Sequence, residues 1–336
     1  MTSPDLSRRT LLGCMAAWPL RPALAQTPAA SKPIRIGVLL SGSQAQWSPA
    51  ADALVEGLRE RGYVEGRNLT LVRRYGELDG ARIRSSAAEL ASLDLDAVVT
   101  SCSGTTMAVV KATGSTPVIM GSISDPVVYG LVESLARPGG KVTGRMSMSV
   151  ELLPKRLEML RLLLPPAQRE GARIAILMNG KDPTHEVQWT ALQAGAQTLK
   201  LQLVRVAATG SSAVQAALDG LADARCSGLL VLSDDPSMIE NRARIAAAAI
   251  QLRLPSITGS RLYAEAGGLM AYGMDILDDF RLVAARVVKV AQGANPATLP
   301  VEQPTKVQLT INLKTAAAIG VTIPYELRLL ADSTIA

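Results

Sequence analysis

Ile34-Arg35-Ile36-Gly37-Val38-Leu39-Leu40, closed by Ser41-Gly42-Ser43, is the stretch on which the fold turns. The run is apolar almost without interruption. A strand with one wet face would alternate, whereas a strand covered on both faces of a parallel sheet reads as continuous. The same grammar returns at 68–74, 97–101, 117–122 and 143–148, and again at 173–179, 201–207, 228–233, 254–259 and 268–273. Helical patterns near 50–61, 81–92, 104–113, 126–136, 151–163, 184–199, 212–224, 238–252 and 277–292 fill the intervals. In 212–224, Ala213, Val214, Ala217, Leu218 and Leu221 fall on one face at helical spacing. Strand and helix in alternation predict right-handed βαβ units and doubly wound parallel sheets.

The alternation runs through twice, with a break at 146–149, and Leu164-Pro165-Pro166 closes a helix before a new strand opens at Arg173. The predicted architecture is α/β: two Rossmann-like lobes joined by hinge crossovers. Lobe 1 takes 34–146 plus about 274–297; lobe 2 takes 147–273 plus about 298–336. The stretch 295–336 is rich in proline (Pro296, Pro300, Pro304, Pro324), shows one short helical pattern at 312–319, and is expected to wrap back over the lobes.

The first residues read as a leader. Ser7-Arg8-Arg9-Thr10-Leu11-Leu12 is a twin-arginine pattern, an apolar stretch reaches Leu20, and Ala23-Leu24-Ala25 is an A-x-A cleavage site. The apolar part is shorter than the roughly 20 residues that span a bilayer. Cys14 lies too near the start of that stretch for a lipoprotein box, so no membrane anchor is expected. A signal peptide over 1–25, cleaved after about Ala25, predicts a periplasmic protein exported by the twin-arginine route. Its removal takes away Arg8, Arg9, Arg21 and Asp5 and lowers the formal charge of +6 by two, leaving a mild excess. No basic block interleaves with aromatics, so nucleic acid is not an expected partner. Cys102 and Cys226 fall in different lobes and are expected to be unpaired.

Enzyme signatures are missing. No G-x-x-x-x-G-K-[ST] occurs, and Ser41-Gly42-Ser43-Gln44 lacks the close-approach glycines of a dinucleotide loop. There is no G-x-S-x-G elbow. The single histidine, His185, reads as an exposed residue at a helix start, which rules out a His-paired zinc site. No catalytic residue, metal or cofactor is expected. Polar loops at the carboxyl ends of the strands remain, the edge where open α/β sheets hold ligands. Lobe 1 offers Ser41, Gly42 and Ser43 with Trp47, then Ser103, Gly104 and Thr105, then Ser122 and Asp125. Lobe 2 offers Met146 and Ser147, then Asn179 and Asp182, then Asp234, and Tyr272. The helix start at Ser103–Thr105 favours a carboxylate, Asp125 an ammonium, and Trp47 and Tyr272 an apolar body. Taken singly, Ser103, Asp125 and their like also read as helix caps. Together they predict a small zwitterion or carboxylate such as an amino acid.

Five motifs carry a family resemblance. They are Gly57-Leu58-Arg59-Glu60-Arg61-Gly62-Tyr63-Val64-Glu65-Gly66-Arg67-Asn68, Ser134-Leu135-Ala136-Arg137-Pro138-Gly139-Gly140-Lys141-Val142-Thr143-Gly144 and Glu265-Ala266-Gly267-Gly268-Leu269-Met270-Ala271-Tyr272-Gly273, followed by Leu299-Pro300-Val301-Glu302-Gln303-Pro304-Thr305-Lys306 and Ile311-Asn312-Leu313-Lys314-Thr315-Ala316. In this order they resemble the ABC-transporter substrate-binding family that includes tryptophan- and tyrosine-binding lipoproteins, over about 34–332. The resemblance implies a type I periplasmic-binding-protein fold, hinge closure on a solute, and delivery to an inner-membrane ABC permease. Many relatives are lipid-anchored, which the twin-arginine leader here does not match. Two alternatives stay open: a sensory module that presents ligand to a receptor, and a hydrolase on the same scaffold, for which no base beside a nucleophile is visible.

Overall fold

Ile34, Ile36, Val38 and Leu40 of the opening strand pack into one buried cluster with α-helical partners, and Leu39 packs into another on the opposite face. That is why the run does not alternate: both faces are covered. Gly37 fits the same picture, since a β-carbon there would stand 2.9 Å from Leu95. The computed structural model describes residues 32–232 and 235–336. The leader read at 1–25, Cys14 and Asp234 lie outside the described residues.

In chain order the first lobe holds β1 (Ile34–Leu40), α1 (Gln44–Arg59), β2 (Leu69–Tyr75), α2 (Gly80–Ala91), β3 (Ala97–Thr100), α3 (Ser103–Ala112), β4 (Val118–Ile123) and β5 (Val142–Met146). The chain then crosses to α4 (Leu153–Leu162), β6 (Arg173–Met178), α5 (Pro183–Leu199), β7 (Gln202–Ala207), α6 (Ser211–Asp219), β8 (Gly228–Val231), α7 (Pro236–Glu240), α8 (Arg242–Gln251), β9 (Ser256–Thr258), α9 (Arg261–Glu265) and β10 (Met270–Gly273). It returns to the first lobe for α10 (Ile276–Ala291) and ends in the second with β11 (Gln308–Asn312), α11 (Leu313–Ile319), α12 (Tyr325–Leu330) and β12 (Ser333–Ile335). The first sheet runs β2-β1-β3-β4-β5, all parallel; the second runs β12-β11-β10-β9-β8-β6-β7, parallel except where β11 meets β10. Residues 33–336 form one compact unit. No helix among the described residues is long and apolar enough to cross a membrane.

α10 belongs to the first lobe by its packing. Phe280, Val283, Ala284 and Val287 are fully buried in the cluster that holds α1 and β1. The two helices approach so closely at Gly57 that a β-carbon there would lie 2.1 Å from the carbonyl oxygen of Arg281. The chain after α10 stays with the first sheet: Val301 N–H donates to Leu135 O (2.7 Å) and Met146 N–H to Glu302 O (2.9 Å). The third crossing therefore falls between Glu302 and β11.

Three local readings are corrected. Residues 126–136 form turns instead of a helix, since Gly130 takes φ +65° and Leu131 N–H reaches back to Pro126 O. The helix read at 238–252 divides at Asn241, whose side chain bonds Ser237 O and Ser211. His185 is wholly buried. Asp182 caps α5, which turns His185 inward, and its Nδ1 accepts the N–H of Asn179 (2.8 Å). The short helix read at 312–319 is α11, and the C-terminal stretch adds β11, α12 and β12 to it. Cys102 and Cys226 are free.

Candidate functional site

The turns leaving β3, β4, β5, β6, β9 and β10, together with α1, α4, α7 and α10, line one cavity of about 80 Å³. The first lobe supplies Trp47, the serine-rich turns at 101–103 and 122–124, and Tyr129. Ile276 and Asp279 come from the start of α10. The second lobe supplies Arg156, Asp182, Pro236, Ile239, Gly259 and Ser260, and Ser147 and Met274 sit in the crossings. All the turns are at carboxyl ends of strands, as the doubly wound topology requires.

Side-chain contacts cross between the lobes beside this cavity. The Tyr129 hydroxyl donates to Asp182 Oδ1, and Arg242 Nη1 donates to Gln46 Oε1 at 2.8 Å. Burial and the Asp182 carboxylate hold the Tyr129 phenol well above the usual tyrosine range, so it stays a donor. Asp182 also accepts the N–H of Thr184 and caps α5. It has no ion-pair partner within 4 Å among the described residues. Glu240 reaches toward Ser43 at the start of α1; burial pushes its carboxyl up, with the Ser43 hydrogen bonds pulling against this.

The other charges of the wall are engaged. Arg156, almost fully buried, donates through Nε to Tyr272 O (2.7 Å). Asp279 accepts from Arg145 Nε (2.9 Å) and Ser122 Oγ (3.1 Å). Burial pushes the Asp279 carboxyl up to about 6, opposed by Arg145 and Ser122. Arg145 and Arg286 both pair with Glu302. Cys102 lines the cavity with its thiol pushed up by burial.

Of the residues read as ligand-binding, Trp47, Ser103, Ser122, Ser147 and Asp182 line the cavity. The other described ones, Asp234 lying outside the described residues, are not among the cavity-lining residues. Ser41 is buried and gives its N–H to Ser101 Oγ (2.9 Å). Gly42 gives Trp47 and Glu240 room: a β-carbon there would fall 2.5 Å from the indole nitrogen and 2.7 Å from Glu240 Oε2. Ser43 is the N-cap position of α1. Gly104 is exposed, and Thr105 ties its hydroxyl to Ser101 and Cys102 within the turn. Asp125 accepts the N–H groups of Val127 (3.0 Å) and Val128 (3.1 Å). Met146 is buried against Gln303. Asn179 donates to Asp235 Oδ2 (2.7 Å), and Tyr272 packs on the second-lobe core.

Tyr129, Arg156, Ile239, Met274, Ile276 and Asp279 escaped the sequence reading. Two left a signal. Arg156 shares a helix face with Leu153, Leu157 and Leu160, and Asp279 shares one with Phe280, Val283 and Val287. A charge on an apolar stripe is expensive unless it is paired or used. Tyr129 left none, because its segment mimics a helix.

A family model described as ABC transporter substrate binding protein matches residues 35–335. A tyrosine-binding protein of Clostridioides difficile (strain R20291) is 24% identical over 271 residues, covering 80% of this chain and 76% of the relative. Among solved structures, the ABC domain from Streptococcus pneumonia in complex with L-Trp superposes with TM-score 0.83 at 23% identity, covering 90% of this chain and 100% of that one. A ligand-free, open substrate-binding protein from Clostridium difficile gives 0.66 at 22% identity, covering 90% and 99%. The fold is that of the type I periplasmic binding proteins. With a family model spanning both lobes and every crossing between them, the chain belongs to the ABC transporter substrate-binding protein family.

Proposed function

We propose that this protein captures a small zwitterionic solute, such as an amino acid, by closing its two lobes on it. Outside the cytoplasm it would then hand the solute to the permease of an ABC importer. The observation that carries this reading is a cavity of mixed polar and apolar lining, walled by both lobes and bridged beside its walls by the Tyr129–Asp182 and Arg242–Gln46 hydrogen bonds. A solute shifts the open–closed balance only through contacts it makes better in the closed form, and walls drawn from two lobes provide these. Asp182 offers the ammonium a carboxylate without an ion-pair partner among the described residues, and Ser103 at the start of α3 offers the carboxylate a helix N-terminus. Capture of this kind needs no nucleophile and no proton transfer. The tyrosine-binding relative supports the amino-acid class, and the family supports the permease. Export through the twin-arginine leader with cleavage after Ala25 belongs to the same reading.

The test is a thermal-shift screen of the purified protein against amino acids and carboxylates, with small-angle scattering on any hit. A rise in melting temperature with a smaller radius of gyration is expected. No shift across the panel would refute solute capture.

A further inference from the structure

Beside the cavity the lobes meet at a seam between the first turn of α1 and the junction of α7 with α8. We propose that this seam carries its own opening spring. The Glu240 carboxylate and the Trp47 indole N–H, buried together on closure, drive the solute-free lobes apart, and Ile239 and Arg242 oppose them. The inference rests on the capture reading for the lobe motion itself and adds what returns the protein to its open form.

The contacts that favour closure come first. Ile239, from the second lobe, packs against the first-lobe core that holds Trp47. Arg242 Nη1 donates to Gln46 Oε1 of α1 at 2.8 Å, and to Ile239 O in its own lobe at the same distance. An apolar side chain and a guanidinium of the second lobe are thus seated on the first.

Glu240 stands between these two residues in sequence and works the other way. A β-carbon on Gly42 would fall 2.7 Å from Glu240 Oε2 and 2.5 Å from Trp47 Nε1. The bare backbone of Gly42 is therefore what lets a carboxylate from one lobe and an indole from the other converge on one point. Yet both atoms are buried and neither has a hydrogen-bond partner. A donor and an acceptor in that condition have lost water and gained nothing in exchange, whereas opening the seam returns water to both.

Charge adds to the effect. Ser43 and Trp47 of α1, Arg242 of α8 and Glu77 of the turn after β2 surround the carboxyl. Burial is the largest influence and holds Glu240 above the usual glutamate range; Ser43 and Arg242 pull against it, and Glu77 adds to the rise. A carboxyl raised by burial binds its proton more tightly in the closed form than in the open one. Closure is therefore favoured as the pH falls, and acid relaxes the spring.

The test needs no solute. Small-angle scattering of the full chain, fitted as a mixture of open and closed forms, reads the balance. Acrylamide quenching of Trp47, with Trp18 and Trp189 replaced by Phe, reads it independently. Glu240→Met keeps an unbranched side chain of similar length and removes the polar group. It should move the open–closed ratio about five-fold or more toward closed near neutral pH, with less quenching. Glu240→Gln, which removes only the charge, should move it in the same direction, and Arg242→Ala should move it toward open. Lowering the pH to about 5, above the ordinary glutamate value near 4.3, should close the parent more than Glu240→Met; the hinge carboxyl of Asp279 is common to both. A Glu240→Met protein that opens instead would show the carboxylate and indole holding the lobes together, and would overturn the spring. An unchanged balance in both Glu240 variants would overturn it as well, while leaving capture to the thermal-shift screen.

Discussion

Three Asp-Pro pairs stand at strand ends in this chain, at Asp125-Pro126, Asp182-Pro183 and Asp235-Pro236, and a sequence cannot tell them apart. Each aspartate bonds the backbone just beyond its proline. Asp125 does only this among its described hydrogen bonds, whereas Asp182 also takes the Tyr129 hydroxyl from the other lobe. The ammonium partner read at Asp125 thus has a better candidate one lobe away. Asp125→Ala should cost about 1 kcal/mol of stability, as cap removal does, and leave ligand affinity where it was. Asp182→Asn keeps a good capping residue but deletes the charge. It should lower affinity at least ten-fold, since hydrogen bonds to charged groups contribute about 1.5–3 kcal/mol, with little change in melting temperature. Paired calorimetry and thermal denaturation of both variants check this; a reversal of the two phenotypes would return the ligand role to Asp125.

At the scale of elements, parallel strands were legible because their burial on both faces leaves no room for polar residues. The strands 34–40 and 173–178 begin where the reading placed them. Segment 126–136 was not legible. Val127, Val128, Leu131 and Leu135 mimic helical spacing, yet the chain turns there and brings Tyr129 to the cleft. β12 was missed for a different reason: it is a short edge strand, mostly exposed, with no apolar run to announce it. The pairing of α10 with α1 needed tertiary information, although Gly57 hinted at a close approach. Gly57→Ala would drive a methyl into the Arg281 carbonyl. Overpacking of this kind typically costs about 1–3 kcal/mol, more where backbone must move. Urea denaturation should show a lower midpoint. An unchanged midpoint would mean that α10 slides freely on α1.

Across the whole molecule, the three crossings converge on one guanidinium. Arg145 closes β5, just before the first crossing; its partners are Asp279, after the second, and Glu302, before the third. Arg286 joins through Glu302, and Asp275, which caps α10, adds a like charge near Asp279. An aspartate in the unfolded chain titrates near 3.9, and Asp279 in the folded protein titrates at about 6. The folded state therefore holds this proton more tightly than the unfolded one. Stability from this group is greatest below about pH 4, falls as pH rises through 4 to 6, and is level above. A gap of about two pH units between the folded and unfolded titrations corresponds to roughly 2–3 kcal/mol. Asp279→Asn removes the titration but leaves Arg145 its Glu302 partner. The stability of the parent relative to this variant should fall between pH 4 and 6 and stay flat from 6 to 8, as read from urea midpoints at each pH. A difference that instead grows with pH would show that pairing with Arg145 outweighs burial, so that the hinge keeps its carboxylate ionised throughout.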